Sequence, residues 1–252
     1  MQHFLSPHSQ AIWLVLPCAG IGQRLGADIP KQYLQLQGQT IVEHSIQAFA
    51  DRDDITGIVL AVAANDSWLK GLPLVGKWQD KIHIVEGGQE RADSVKNALD
   101  YLQRQDLCQA DAWVCVHDAA RPCIKQTDVD KLFTALDTTY VQEHGALLAL
   151  PSFNTLKQTS SHRDVLSSEA TIDRSSVWQA LTPQIFPLEK LSKALHTAEQ
   201  QGLSVTDDAS AMELSGFSPL LVEGSAQNIK VTTVEDLSLA EFYLSKYREL
   251  VS

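Results

Sequence analysis

Long apolar runs are missing from this sequence. No stretch approaches the roughly eighteen consecutive apolar residues of a membrane-crossing helix, so a span is excluded on length. Basic charge is also scarce. Twenty Lys and Arg against thirty-one Asp and Glu leave a net charge of -11, without the extended basic face a general nucleic-acid binder needs to displace counterions. A nucleotide substrate is not excluded, because a few cations converging in one cleft dominate its local field. The four cysteines, Cys18, Cys108, Cys115 and Cys123, lack CxxC spacing, which argues against a zinc site or disulfide framework and for a reducing, cytoplasmic setting. The first ten residues have no basic stretch leading into an apolar core, so a secretory signal is not expected. GxxxxGK[ST] is absent, which excludes a Walker A loop. Gly20, Gly22 and Gly26 are spaced GxGxxxG, not the GxGxxG of dinucleotide folds.

What is present is ordinary for a chain that buries a core: 252 residues, 44% hydrophobic and 20% charged, a length at which an α/β fold often remains one domain. Apolar runs at 11–17, 57–63, 82–85, 113–117 and 146–150 read as strands covered on both faces. Amphipathic stretches separate them. Thr40-Ile-Val-Glu43 is a capping-box pattern opening a helix to about Phe49, and helical spacing predicts helices over 90–103 and 126–137. Such alternation predicts a doubly wound, mostly parallel sheet, with ligands at the carboxyl ends of its strands. The Ser/Thr-rich segment 151–173 has little to fill a core and reads as a protruding hairpin arm. Beyond it the pattern predicts a helix over 188–200, a short one after Thr206, a strand over 219–222, and a closing helix from Thr232-Thr-Val-Glu235.

Three stretches carry chemistry. In Leu16-Pro-Cys-Ala-Gly-Ile-Gly-Gln-Arg-Leu-Gly26 a strand runs into a glycine-rich turn. Gly20 and Gly22 let backbone N–H groups approach phosphate oxygens, while Arg24 and Lys31 add fixed positive charge. In Glu86-Gly-Gly-Gln-Glu-Arg-Ala-Asp-Ser94, loop donors and Ser94 can hydrogen-bond a planar base, or Ser94 can serve the helix terminus. In Val116-His-Asp-Ala-Ala-Arg-Pro122, Asp118 at a strand end suits Mg²⁺, since hard cations prefer oxygen, and Arg121 can orient it or line the site. His117 reads as a buried structural histidine. Lys230, in a short apolar strand, reads as a phosphate ligand, and Asp207 and Asp208 as capping residues as readily as metal ligands.

These pieces, with Asp173-Arg-Ser-Ser-Val-Trp-Gln-Ala-Leu-Thr-Pro-Gln184, Thr206-Asp-Asp-Ala-Ser210 and Asn228-Ile-Lys-Val-Thr232, form six collinear blocks spanning 11–244. Together they resemble the 2-C-methyl-D-erythritol 4-phosphate cytidylyltransferases of the non-mevalonate isoprenoid pathway. The resemblance implies a Rossmann-like nucleotidyltransferase domain over 1–252, with Mg²⁺ as cofactor, CTP as the CMP donor and methylerythritol phosphate as acceptor. It implies direct in-line attack of the acceptor phosphate on the CTP α-phosphorus. Arg24 and Lys31 are its catalytic cations. Pro17, Cys18, Ala19, Gly20, Gly22, Gly88, Ser94 and Arg121 belong to CTP binding, Asp118 to the metal, and Arg174, Thr206 and Lys230 to the acceptor. It also implies a cytoplasmic homodimer with no nucleic-acid or membrane partner, the arm at 151–173 packing on the second subunit so that Arg174 reaches the neighbouring site. Cys18 stands where the family usually has alanine, and Gln89 where some members carry aspartate. Ribitol 5-phosphate cytidylyltransferases share the fold and CTP loops; Asp173-Arg174, Thr206 and Asn228-Ile-Lys230 favour methylerythritol phosphate.

Overall fold

The computed structural model describes residues 11–20, 29–109, 111–159 and 166–251, the last five as backbone only. In chain order the strands are β1 (Ile12–Pro17), β2 (Gln35–Leu36), β3 (Gln39–Thr40), β4 (Ile55–Val62), β5 (Ile82–Glu86) and β6 (Trp113–Val116). There follow β7 (Ala146–Pro151), β8 (Leu156–Thr159), β9 (Ser168–Ile172), β10 (Trp178–Pro187) and β11 (Leu220–Glu223). The helices are α1 (Ile41–Ala50), α2 (Pro73–Lys77), α3 (Arg91–Arg104), α4 (Gln126–Thr134), α5 (Thr139–His144), α6 (Leu188–Gln200), α7 (Asp208–Leu214) and α8 (Val234–Val251).

Alternate side chains of β1 feed two separate cores, which is why the strand reads as continuously apolar. Ile12, Leu14 and Leu16 pack with Val42, Ile46 and Phe49 of α1 and with Val129, Leu132 and Phe133 of α4. Trp13 and Val15 point the other way, into Val95, Ala98, Leu99 and Leu102 of α3 and Leu191 and Leu195 of α6. Between these helical layers runs a seven-stranded sheet in the order β11-β7-β10-β6-β1-β4-β5. β1 is parallel to β4 and β6, β4 to β5, and β7 to β11. β10, the one antiparallel strand among those described in this sheet, lies between β6 and β7. The doubly wound, mostly parallel architecture is therefore present.

The predicted strands and long helices fall within a few residues of their expected ends. The Thr40 box is made: Thr40 N–H donates to Glu43 Oε2 at 2.8 Å, and Glu43 N–H donates to Thr40 Oγ1 at 3.3 Å. The second box sits one residue later than expected. Asp236, not Glu235, accepts from the N–H groups of Thr232 and Thr233, both at 2.9 Å, and donates its own N–H to Thr233 Oγ1 at 3.2 Å. The helix predicted over 126–137 breaks after Thr134 into a 3-10 turn at Ala135–Asp137. β10, α2 and α5 were not anticipated.

Segment 151–173 contains the expected hairpin. β8 and β9 pair antiparallel, Leu156 opposite Ile172, as a two-stranded unit separate from the main sheet.

Candidate active site

The winding direction of the sheet reverses between β1 and β6, and a crevice is expected outside their carboxyl ends at such a switch point. A cavity opens there. It is lined by Pro17, Cys18, Ala19 and Gly20 after β1, Gly88 to Arg91 and Ser94 from the loop into α3, Asp118 to Ala120 after β6, and by Lys31, Gln32 and Lys230. The structure thus brings together nine of the expected site residues: Pro17, Cys18, Ala19, Gly20, Lys31, Gly88, Ser94, Asp118 and Lys230. Gly22 and Arg24 lie outside the described residues. Arg121 sits directly behind Asp118, whereas Arg174 and Thr206 are not among the cavity-lining residues of their own chain.

Close packing fixes the loop before α3. A Cβ on Gly87 would stand 2.6 Å from Ala19 Cβ and 2.8 Å from Ser94 Oγ, and one on Gly88 would stand 2.0 Å from Asp93 Cβ. Only glycine permits these approaches. The Ser94 hydroxyl accepts from Gly88 N–H at 3.1 Å and donates to Glu90 O at 3.2 Å, so it secures the loop that presents Gly88 to the cavity.

Asp118 is the centre of the charged wall. Its Oδ1 accepts from Arg91 Nε at 2.9 Å, and its Oδ2 from Lys230 Nζ at 2.9 Å and Arg121 Nε at 3.4 Å. Burial alone would raise the Asp118 pKa, but Arg91, Lys230 and Arg121 outweigh it and hold the carboxyl well below the usual range. Arg91 turns its other end to Asp208, Nη2 to Oδ2 at 2.7 Å. Asp208 is fully buried, and burial raises its pKa despite that partner.

Backbone contacts position these cations. Arg121 Nη1 donates to Asn228 O at 2.7 Å, Asn228 Nδ2 to Thr182 O at 2.7 Å, and Val231 N–H to Ala120 O at 2.8 Å. Segment 228–231 is consequently pinned across the end of β6, but as extended loop, not as the short strand expected around Lys230. Lys31 Nζ reaches the Val231 carbonyl at 3.1 Å. The turn bearing Lys31 is tied down on both sides: Gln32 Nε2 donates to Cys18 O at 2.7 Å, and Tyr33 Oη to Asp66 Oδ2 at 2.5 Å.

His117 is the buried structural histidine the sequence suggested. Arg121 O, which only accepts, lies 3.1 Å from Nε2, so that nitrogen carries the proton. Nδ1 then accepts from the Thr182 hydroxyl at 3.1 Å, while Thr182 Oγ1 accepts the Asp118 N–H at 3.0 Å. Burial pushes the His117 pKa down to about 4, leaving a neutral ring with both nitrogens engaged. The thiols are unsuited to nucleophilic work: burial raises Cys18, Cys108 and Cys115, and pushes Cys123 up to about 12.

Three contributors escaped the sequence reading. Gln32 and Thr182 have no charge to mark them. Arg91 did leave a signal, because a cation at the first position of α3 opposes the helix dipole and calls for carboxylates nearby.

An open α/β sheet with a glycine-lined, cation-walled cavity at its switch point defines a nucleotidyltransferase of the α/β class. Comparison with known proteins narrows this. Residues 12–246 match the family model described as "IspD: 2-C-methyl-D-erythritol 4-phosphate cytidylyltransferase". The chain belongs to that family. It is 47% identical over 242 residues to the enzyme of that name from Mannheimia succiniciproducens, covering 96% of this chain and 100% of the relative. It is 45% identical to that from Haemophilus influenzae strain PittEE, covering 94% and 98%. The crystal structure of the Francisella tularensis enzyme superposes with a TM-score of 0.76 at 34% identity, covering 93% of this chain and 100% of that one.

Proposed function

We propose that this chain transfers CMP from CTP to 2-C-methyl-D-erythritol 4-phosphate, giving 4-diphosphocytidyl-2-C-methyl-D-erythritol and pyrophosphate. The observation that carries the reading is the family match along nearly the whole chain, whose span includes every residue lining the cation-walled cavity described above. The acceptor's phosphate oxygen forms a bond to the α-phosphorus of CTP. The bond from that phosphorus to the bridging oxygen breaks, and pyrophosphate leaves with the electron pair. The nucleophile arrives already anionic, so no general base is required, in keeping with a His117 whose two nitrogens are both occupied. Lys31 and Lys230, with Arg24, would place positive charge where negative charge builds on the phosphate oxygens, and Gly20, Gly88 and Ala19 would admit the nucleotide closely.

Mg²⁺ fits this cavity as an ion carried in on the triphosphate. Asp118 is an ionised cavity carboxylate, and no group of three His, Cys, Asp or Glu converges among the described residues. Mg²⁺ commonly takes one or two carboxylates together with phosphate oxygens and water. Asp118 would hold it through Oδ2 while keeping its contact with Lys230. Bound there, the ion would neutralise charge on the departing pyrophosphate.

The same reading makes the molecule a homodimer. A two-stranded hairpin is marginal alone in water, and the described arm leaves Phe153 68% and Leu166 80% exposed, with Ile172 and Trp178 also uncovered. A second copy would cover them. Arg174, whose Nη1 donates to Phe153 O at the arm's base, would then serve the neighbouring cavity and, with Thr206, hold the acceptor. A cytoplasmic setting accompanies this reading; no described helix is long and apolar enough to cross a membrane.

The test is pyrophosphate release from CTP with methylerythritol phosphate or ribitol 5-phosphate, with Mg²⁺ and then with excess EDTA. Release with methylerythritol phosphate alone, abolished by EDTA, is expected. Preference for ribitol 5-phosphate would overturn the acceptor, and release in EDTA the metal.

A further inference from the structure

Asp208 is an expensive residue to keep. It opens α7, yet the capping of that helix is done by its neighbour: Asp207 Oδ1 accepts Ser210 N–H at 2.9 Å, and Asp207 Oδ2 accepts Gln184 Nε2 at 2.8 Å. A helix dipole would be served as well by a solvated carboxylate. Asp208 is instead wholly buried, with Oδ2 on Arg91 and Oδ1 without a hydrogen-bond partner among the described residues. Burying an ionised group with half its acceptors empty costs stability, which a purely structural contact does not require.

We propose that Asp208 is a positioning residue for the transfer reaction: by holding one end of the Arg91 guanidinium, it keeps Arg91 from closing on Asp118 with both ends and so leaves Asp118 Oδ2 to Lys230. This rests on the cytidylyl-transfer reading of the site. Guanidinium is a rigid fork that prefers to grip a carboxylate with two parallel hydrogen bonds. In this structure the fork is divided, Nε on Asp118 and Nη2 on Asp208. Neutralising Asp208 frees Nη2 to turn to Asp118, drawing that carboxylate away from Lys230. It also raises the charge of the group formed by Arg91, Arg121, Lys230, Asp118 and Asp208 from one net positive to two. Lys230 then loses the contact that aims it into the cavity. The groups facing Asp208 are Arg91 from α3, Asp118 from the end of β6 and Asp207 on its own segment.

The experiment compares wild type, Asp208→Asn and Asp208→Glu in kcat and KM for each substrate at neutral pH. Wild-type turnover is measured first, so that failure of the functional reading is seen separately. Asp208→Asn, which keeps the shape, is expected to lose kcat ~10- to 100-fold at neutral pH with KM for CTP little changed, as misplacement of a catalytic cation does. Asp208→Glu restores the charge and recovers most of kcat. Equal kcat for wild type and Asp208→Asn, or a loss that Asp208→Glu does not recover, overturns the proposal. Should Asp208→Asn fail to fold, Arg91→Lys, whose single ammonium lacks the planar fork that spans Asp118 and Asp208, is expected to show the same kcat loss; unchanged kcat there overturns it equally.

Discussion

At the scale of single residues the site separates into groups that face the cavity and groups that hold them. His117 belongs to the second kind, and its burial has a measurable consequence. Folded, it protonates only near pH 4; unfolded, it does so near 6.5. Between those values the unfolded chain binds a proton that the folded chain refuses, so stability declines as pH falls through this window, by roughly 3 kcal/mol in all. Asp118 adds its loss only below the ordinary carboxylate range. Asp208, with a raised pKa, contributes with the opposite sign. Denaturant unfolding at pH 7.5 and 4.5 should therefore show a clearly smaller acid loss in His117→Gln than in wild type; equal losses would contradict a neutral buried ring. His117 was legible from its place at a strand end, and Lys31, Asp118 and Lys230 from charge set beside glycine or apolar residues. Thr182 and Gln32 were not, and Arg91 showed only in its unfavourable place at the helix start, because each acts through partners remote in sequence: Asp208 to Arg91, Asp118 to Thr182, the Cys18 carbonyl to Gln32.

At the scale of elements, legibility followed periodicity. β1 and β4 announce themselves because strands covered on both faces are apolar throughout, and α3 and α6 because each shows one apolar stripe to the sheet. β10 hid behind Pro183, since proline inside a run argues against a strand. The pairing register shifts between Ala180 and Gln184, so the proline falls where the ladder is already interrupted. That irregularity has a use: it brings Thr182 to the end of β6, where its hydroxyl links Asp118 to His117. The closing helix was placed one residue early because Glu235 satisfies the capping pattern on paper, whereas Asp236 is the carboxylate that turns back to Thr232 and Thr233. α2 and α5 are too short to leave a periodic signal.

At the scale of the whole molecule, the cavity of one chain holds Lys31 and Lys230 but not Arg174. If the acceptor site is completed by the second subunit's arm, two different inactive variants should rescue one another. Lys31→Ala and Arg174→Ala, each expected to lose most activity, can be unfolded together and refolded as a mixture. Half the dimers then contain both chains, and one of the two cavities in each has every residue intact, so activity should return to roughly a quarter of wild type. No recovery from well-folded mixed dimers would place Arg174 at its own chain's site or outside the reaction.

The proposed reaction is one step, direct displacement at the α-phosphorus within a field of fixed cations and with no enzyme-bound intermediate. The stereochemistry of that phosphorus tests it most directly. With one diastereomer of CTP carrying sulfur on the α-phosphorus, a single in-line displacement gives a product of inverted configuration, readable by phosphorus NMR. Inversion is the expected result. Retention would mean two displacements and a covalent intermediate on the protein, and would contradict the account.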